Sequence, residues 1–348
     1  MTLALGILTF FAILAVLILV HELGHFTTAK LFGVRVQEFG LGFPPRLKSW
    51  RRGETLYSLN LIPLGGFVKM LGENGEADEP DSFGSHPQWQ RFVVLAAGPV
   101  MNLLLAFAIF YFVFLVGAPR VSTEVVKVAP HSPAATAGIL AGDVITSIDG
   151  KAVKYIEGLQ AGEAAHRGQK VPITYTRRGL EHGTLVLVRK HPPRNQGALG
   201  VVLGKTVIVS SGPLTSLRLA ANELGTMVAS VPLIVQSLTQ HGSTQVSGPI
   251  GIAHITTRVV GDEPSTGPGS ILQFMALLSA NLGVLNLLPI PALDGGRLVF
   301  VIVSWIRRRN LDPQLEGMIH LVGMAVLLLL ILVVSYQDLI RWVGGSSY

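Results

Sequence analysis

Two histidines four residues apart flank a glutamate in the run His21-Glu22-Leu23-Gly24-His25. On a helix that spacing puts both imidazoles on one face, within reach of a single cation. Glu22 then lies beside the ion, where its carboxylate can take a proton from bound water. Zinc suits two imidazole nitrogens and one carboxylate, with the fourth tetrahedral position open for water or substrate. The bland alternative is a pair of helical histidines at a membrane surface. Depth weighs against it, because ionisable groups within or at the end of an apolar span are costly and by default carry function.

Two histidines and a base leave one ligand to find. Asp294 is the only carboxylate between Glu263 and Asp312, in a stretch that is otherwise mostly apolar. A lone carboxylate at membrane depth needs a partner, and a zinc ion would be one. Pro289 and Pro291 break the helix just before it, and Gly295-Gly296 after it permit unusual backbone. Peptide groups freed inside a bilayer must line a cavity or a site.

The elements that must bring these residues together are membrane spans. The chain has 348 residues, 49% hydrophobic and only 14% charged, with a mean hydropathy of +0.51. That composition excludes disorder and collagen-like repeats, and the absence of cysteine excludes a disulfide scaffold. The net charge of +6 does not indicate nucleic acid, because the basic residues cluster beside apolar runs, where they set orientation. The runs cover residues 2–20, 92–116, 271–306 (broken at the two prolines) and 318–334. The first is long enough to cross about 30 Å of hydrocarbon at ~1.5 Å per residue. The first has no basic residue ahead of it and leads straight into His21, so it reads as a retained span rather than a cleaved signal peptide.

Arg35, Arg46, Lys48, Arg51, Arg52, Lys69 and Arg91 lie between spans one and two, and Arg307-Arg308-Arg309 between spans three and four. Both connections are therefore expected on the cytoplasmic side, with the termini and the 118–270 insert outside. Residues 213–238 read as an amphipathic helix against the outer face, since a fifth span there would move the arginine triplet outside. With four spans, His21 and Asp294 sit on segments running in the same direction and can meet at similar depth.

Two further stretches carry structure. Ser132-Pro-Ala-Ala-Thr-Ala-Gly138-Ile-Leu-Ala-Gly142-Asp143-Val-Ile-Thr-Ser-Ile-Asp149-Gly150 reads as a helical turn, a Gly-Asp turn, a strand and an Asp-Gly turn. The pattern resembles a PDZ domain, a fold that captures extended peptides along a sheet edge. Ligand capture and steric filtering both remain open for it. On the other side of the membrane, residues 56–62 and 67–70 are expected to form a hairpin across Pro63-Leu64-Gly65-Gly66, and residues 75–87 a mobile acidic loop. An edge strand through Gly66, Phe67 and Val68 could pair with the backbone of an unwound substrate, or simply cap the helices.

H-E-L-G-H in the first span, Asn286-Leu-Leu-Pro289-Ile-Pro291-Ala-Leu293-Asp294-Gly295-Gly296 in a later one and a PDZ-like insert between them resemble the site-2 protease family. Gly65-Gly66-Phe67-Val68-Lys69-Met70, Gly98-Pro99 and Ser247-Gly248-Pro249-Ile250-Gly251 extend the resemblance over nearly the whole chain, closest to the bacterial regulator-of-sigma-E type with one PDZ domain. The resemblance implies a polytopic α-helical membrane protein of about four transmembrane helices with an inserted extracytoplasmic PDZ domain and a cytoplasmic β-hairpin region. It implies zinc held by His21, His25 and Asp294, Glu22 as catalytic residue, and Asn281 and Asn286 near the bound substrate, with Asn286 a possible oxyanion donor. The implied reaction is hydrolysis within transmembrane segments of single-span proteins, among them anti-sigma factors and remnant signal peptides, in the bacterial cytoplasmic membrane. The implied partners are those substrates, a peptide or substrate stub at the PDZ domain and the lipid bilayer, with no nucleic acid.

The domain organisation expected is a first span over 1–33, a cytoplasmic membrane-associated region over 34–91 and a second span over 92–117. The PDZ domain covers 118–206, an amphipathic helix and linker 207–269, the broken third span 270–306 and the fourth 315–343. Three rival readings fit these residues less well. A prenyl-protein type of membrane protease would need a downstream glutamate ligand, and only Glu316 at a cytoplasmic end is near. A PDZ scaffold with a dead metal site has no reason to hold base and ligands intact. A transporter has no use for H-E-x-x-H.

Overall fold

The computed structural model describes residues 2–73, 79–193, 196–241, 248–261, 268–309 and 311–343. In chain order its first elements are α1 (Thr2–Leu31), β1 (Val36–Arg52), β2 (Thr55–Met70), α2 (Gln88–Val116), β3 (Ala118–Val121) and β4 (Val125–Val128). Next come α3 (Pro133–Thr136), β5 (Val144–Ile148), β6 (Lys151–Ala152), α4 (Ile156–Ala165), β7 (Lys170–Arg177), β8 (Leu180–Leu187), β9 (Val201–Leu203) and β10 (Thr206–Val209). The carboxy-terminal part is helical: α5 (Pro213–His241), α6 (Pro249–Gly261), α7 (Gly269–Leu287), α8 (Asp294–Arg307) and α9 (Pro313–Val343). The chain forms two compact units, one holding the apolar helices with β1 and β2, the other centred on Val116–Ser211.

Among the described residues, four helices are long and apolar enough to cross a membrane: Leu3–Leu31, Gln88–Val116, Gly269–Leu287 and Gln314–Ile340. These are the four apolar runs of the sequence, and a helix is the form in which such a run satisfies its own backbone. Thr27 and Thr28 stay within this rule by donating their hydroxyls to the carbonyls of Leu23 (2.7 Å) and Gly24 (2.8 Å). α1 stops at Gly33, whose φ of +82° lets Val34 N–H turn back to the Ala29 carbonyl at 2.9 Å. The third run breaks where its prolines stand, into α7 and α8 with a turn between.

α1 and α2 cross backbone to backbone. A Cβ on Gly24 would meet the Ala97 carbonyl carbon at 2.7 Å and Gly98 N at 2.9 Å, and one on Gly98 would overlap the His25 imidazole. Pro99 follows inside α2, where it leaves the Leu95 carbonyl without a helical donor.

β1 and β2 do not form the hairpin expected from residues 56–62 and 67–70. Glu38–Leu41 of β1 pairs antiparallel with Lys69–Gly66 and also faces Leu56–Leu59, so this stretch lies between the two halves of β2, while Arg46–Arg52 pairs with Asn60–Thr55. Burial decides this arrangement: Val36, Phe39, Val68 and Met70 pack with Ala29, Val34, Val94 and Leu95 in one apolar cluster. A direct 56–62/67–70 pair would leave Val36 and Phe39 outside it.

The acidic loop is also firmer than its composition suggests. Residues 75–78 lie outside the described residues, but 79–87 are docked. Arg35 pairs with Glu79 (2.8 Å) and Asp81 (2.7 Å), and Phe83 is 3% exposed. His86 sits with Nε2 3.0 Å from the Phe32 carbonyl and Nδ1 2.8 Å from that of Ser82.

Beyond α5, the expected linker contains a second helix, α6. Its first turn is held by a buried carboxylate of α9: Asp338 Oδ2 accepts from Gly248 N–H (2.8 Å) and Gly251 N–H (2.9 Å). Helix-start N–H groups lack intrahelical acceptors, and a carboxylate supplies one with charge of the favourable sign. Ser247 of the same motif lies outside the described residues.

The second unit holds a sheet of order β6-β5-β7-β8, with two smaller pairs, β4-β9 and β3-β10. Ile139, Ile145, Ile148, Leu159, Ile173 and Leu199 are fully buried in its core. Asp143, 1% exposed, closes the Gly142-Asp143 turn by accepting from Arg177 Nε (2.7 Å), Arg177 Nη2 (2.7 Å) and Leu140 N–H (2.8 Å). Burial pushes this carboxyl up, but the Arg177 and Leu140 hydrogen bonds outweigh it and hold the group below the usual carboxylate range.

Candidate active site

The helical spacing of four residues places His21 Nε2 and His25 Nε2 3.2 Å apart. Asp294, first residue of α8, brings Oδ2 to 3.0 Å from the first nitrogen and 3.4 Å from the second. Both histidines are buried, at 9% and 7% exposure. Asp294 Oδ2 is buried as well and accepts no hydrogen bond among the described residues.

Three lone-pair atoms gathered away from water repel one another unless a proton or a cation lies between them. A tetrahedral zinc site with bonds of about 2.0–2.1 Å needs ligand separations of about 3.3–3.4 Å. The observed spacings fit that ion, and these three residues form the one His/Cys/Asp/Glu group among the described residues able to hold a metal.

The far nitrogens of both imidazoles are addressed by α2. His25 Nδ1 donates to the Val94 carbonyl at 2.8 Å, and His21 Nδ1 faces Asn102 Nδ2 at 3.3 Å. The Val94 contact fixes His25 as an Nδ1–H tautomer with Nε2 free to ligate, the usual support for a metal-bound histidine.

Asp294 is delivered by the turn between α7 and α8. Leu293 N–H donates to the Ile290 carbonyl at 3.2 Å, and Gly296 N–H to the Leu293 carbonyl at 3.1 Å. The turn folds so tightly over α8 that a Cβ on Gly295 would meet the Leu287 carbonyl at 2.6 Å. Ala292 takes a φ of +80° and donates its N–H to His320 Nδ1 at 3.0 Å. One turn into α8, Arg297 pairs with Glu73, whose other oxygen accepts from Met70 N–H at the end of β2. The strand and the aspartate-bearing helix are thereby tied together.

Of the other residues singled out by sequence, Gly66 lies beside the site: a Cβ there would stand 2.9 Å from Glu22 Cγ. Val68 is buried in the apolar cluster, and the Phe67 ring lies over Gly40. Asn286 donates its amide to the Leu282 carbonyl of its own helix at 3.0 Å, and Asn281 is exposed. Neither asparagine meets the three converging atoms. Sequence reasoning gave no role to Asn102, which showed only as the one amide inside the second apolar run, and left His320 without a partner.

Residues 9–330 match the sequence model of peptidase family M50. The zinc metalloprotease RasP of Shouchella clausii is 32% identical over 418 aligned residues, covering 96% of this chain and 98% of that protein. The regulator of sigma-W protease RasP of Bacillus subtilis is 27% identical over 419 residues, again covering 96% and 98%. Both alignments are longer than this chain, so those relatives carry residues that it lacks. The matched span contains the paired histidines and the distant aspartate that meets them, and the chain belongs to peptidase family M50, the site-2 proteases, as a zinc metalloprotease.

Proposed function

We propose that this protein hydrolyses peptide bonds within transmembrane segments of single-span proteins, with His21, His25 and Asp294 holding zinc and Glu22 as the base. The observation that carries the reading is the convergence of Nε2, Nε2 and Oδ2 from opposite ends of the chain on one buried point. Bound there, zinc would supply Lewis-acid polarisation of the scissile carbonyl and of a water molecule. Glu22, next to His21 in sequence, takes the proton from that water and returns it to the leaving amine.

A transmembrane substrate arrives as a helix whose carbonyls are already hydrogen-bonded, so it must unwind before it can be cut, and its freed backbone groups then need partners. The Gly66–Val68 stretch of β2, next to Glu22, supplies them by strand addition. Asn286 exchanges its Leu282 carbonyl for the developing oxyanion, and Asn281 contacts the same segment from α7.

The assignment extends to the whole chain. Residues 1–33, 92–117, 270–306 and 315–343 are the membrane segments, 34–91 the cytoplasmic sheet region and 118–206 an extracytoplasmic PDZ domain that meets the substrate stub. Residues 207–269 are an extracytoplasmic helix and linker, in which the amphipathic helix over 213–238 lies against the outer face of the bacterial cytoplasmic membrane. Substrates are trimmed single-span proteins such as anti-sigma factors and remnant signal peptides. The name of the Bacillus subtilis relative, a regulator of sigma-W protease, supports the first of these. In proteoliposomes holding a single-span substrate, Glu22→Gln is expected to keep its zinc and abolish cleavage. Cleavage at the wild-type rate in that variant would overturn the proposal.

A further inference from the structure

We infer that Asn102 is a positioning residue for zinc, holding His21 in the tautomer that ligates through Nε2. The inference rests on the reading of His21 as a zinc ligand given above.

Asn102 is completely buried inside α2, a helix otherwise apolar around it. Its side chain reaches one polar group, His21 Nδ1, at 3.3 Å through Nδ2. Its Oδ1 is buried without a partner among the described residues. Its backbone carbonyl is occupied separately, by the Ser279 hydroxyl of α7 at 2.8 Å.

His21 turns Nε2 toward Asp294 and His25. A neutral imidazole that gives the Nε2 lone pair to a metal carries its proton on Nδ1, which is then a donor. As the amide stands, two donors face each other, Nδ2–H and Nδ1–H, while an acceptor is left orphaned half an amide turn away. Rotating the amide by 180° costs no space, since its oxygen and nitrogen have nearly the same shape. Oδ1 then accepts from His21 Nδ1–H, which removes both the orphaned acceptor and the donor–donor contact. The hydrogen bond also orients the ring and raises the basicity of Nε2, as hydrogen-bond partners of metal-bound histidines generally do. His25 obtains the same support from the Val94 carbonyl, so a single helix, α2, sets both imidazoles.

The test is zinc affinity, measured by chelator competition on the full-length protein in detergent, for wild type, His21→Ala, Asn102→Ala and Asn102→Asp. Removing such a partner weakens metal binding about 10–100-fold, and that loss is expected for Asn102→Ala. Asn102→Asp keeps an acceptor on Nδ1–H and is expected to stay within a few-fold of wild type. A residue that only filled space would give the opposite order, because an aspartate buried without a donor is the more damaging change. Wild-type affinity in Asn102→Ala, or an Asn102→Asp protein that misfolds or binds zinc more weakly than Asn102→Ala, overturns the inference. If His21→Ala itself retains wild-type affinity, the reading of His21 as a ligand fails, and the inference with it.

Discussion

Replacing Gly98 by alanine should remove zinc from this enzyme without touching any ligand. The added methyl would overlap Nε2 of the His25 ring and lie 2.7 Å from its Cδ2 and Cε1, where ordinary contact begins at 3.4 Å. The ring must therefore withdraw by at least about 0.7 Å, against a tolerance of about 0.2 Å in metal–ligand distances. The helices cannot slide to absorb the methyl, because Gly24 already rests against the backbone of Ala97 and Gly98. Loss of a supporting contact alone weakens metal sites about 10–100-fold, and displacing a ligand should do at least as much. That is an affinity loss of at least about 1.4–2.8 kcal/mol. The assay is zinc retained against a graded chelator, with Gly317→Ala as control, since a Cβ at that helical position meets nothing within 4 Å. Cleavage should fall in step with occupancy. Wild-type zinc affinity in Gly98→Ala would refute the reasoning.

Other perturbations test the frame around the site. Asp338→Leu leaves the N–H groups of Gly248 and Gly251 without their buried acceptor, at a cost of about 2 kcal/mol or more. Amide exchange in α6 should rise relative to α1, and unchanged protection of α6 would contradict the docking described for it. In the second unit, the Asp143 carboxyl is held below its ordinary value, so its stabilisation is full above about pH 4 and fades as the pH falls through the folded value. Asp143→Asn should melt earlier at neutral pH and lose that part of its acid sensitivity. Equal acid sensitivity in the two proteins would mean that another group carries it.

The converging His21, His25 and Asp294 and the four spans were legible in the sequence because each is encoded locally. His21 and His25 are four residues apart on a helix, and an apolar run of span length has few other folds open to it. Asp294 could be found because a single carboxylate in an apolar stretch demands a partner. What escaped notice depends on contacts distant in sequence. Asn102 acquires its role only when α2 crosses α1, 81 residues from His21. His320 matters because α9 brings it to Ala292, and Asp338 because α6 begins beside it. The pairing of β2 with β1 on both halves likewise follows from which apolar side chains reach the common cluster, which strand periodicity alone does not specify. The need for Gly24 and Gly98 came from the approach of two backbones, for which the sequence showed only the motif.

X-ray absorption at the zinc edge, on purified wild type and Asp294→Ala, tests most directly whether these three side chains share one ion. Wild type should show one zinc per chain with only nitrogen and oxygen neighbours near 2.0–2.1 Å, two of them with the outer-shell pattern of imidazole. Asp294→Ala should lose zinc, or retain it with one fewer protein oxygen. An unchanged zinc content and spectrum in Asp294→Ala would contradict the account.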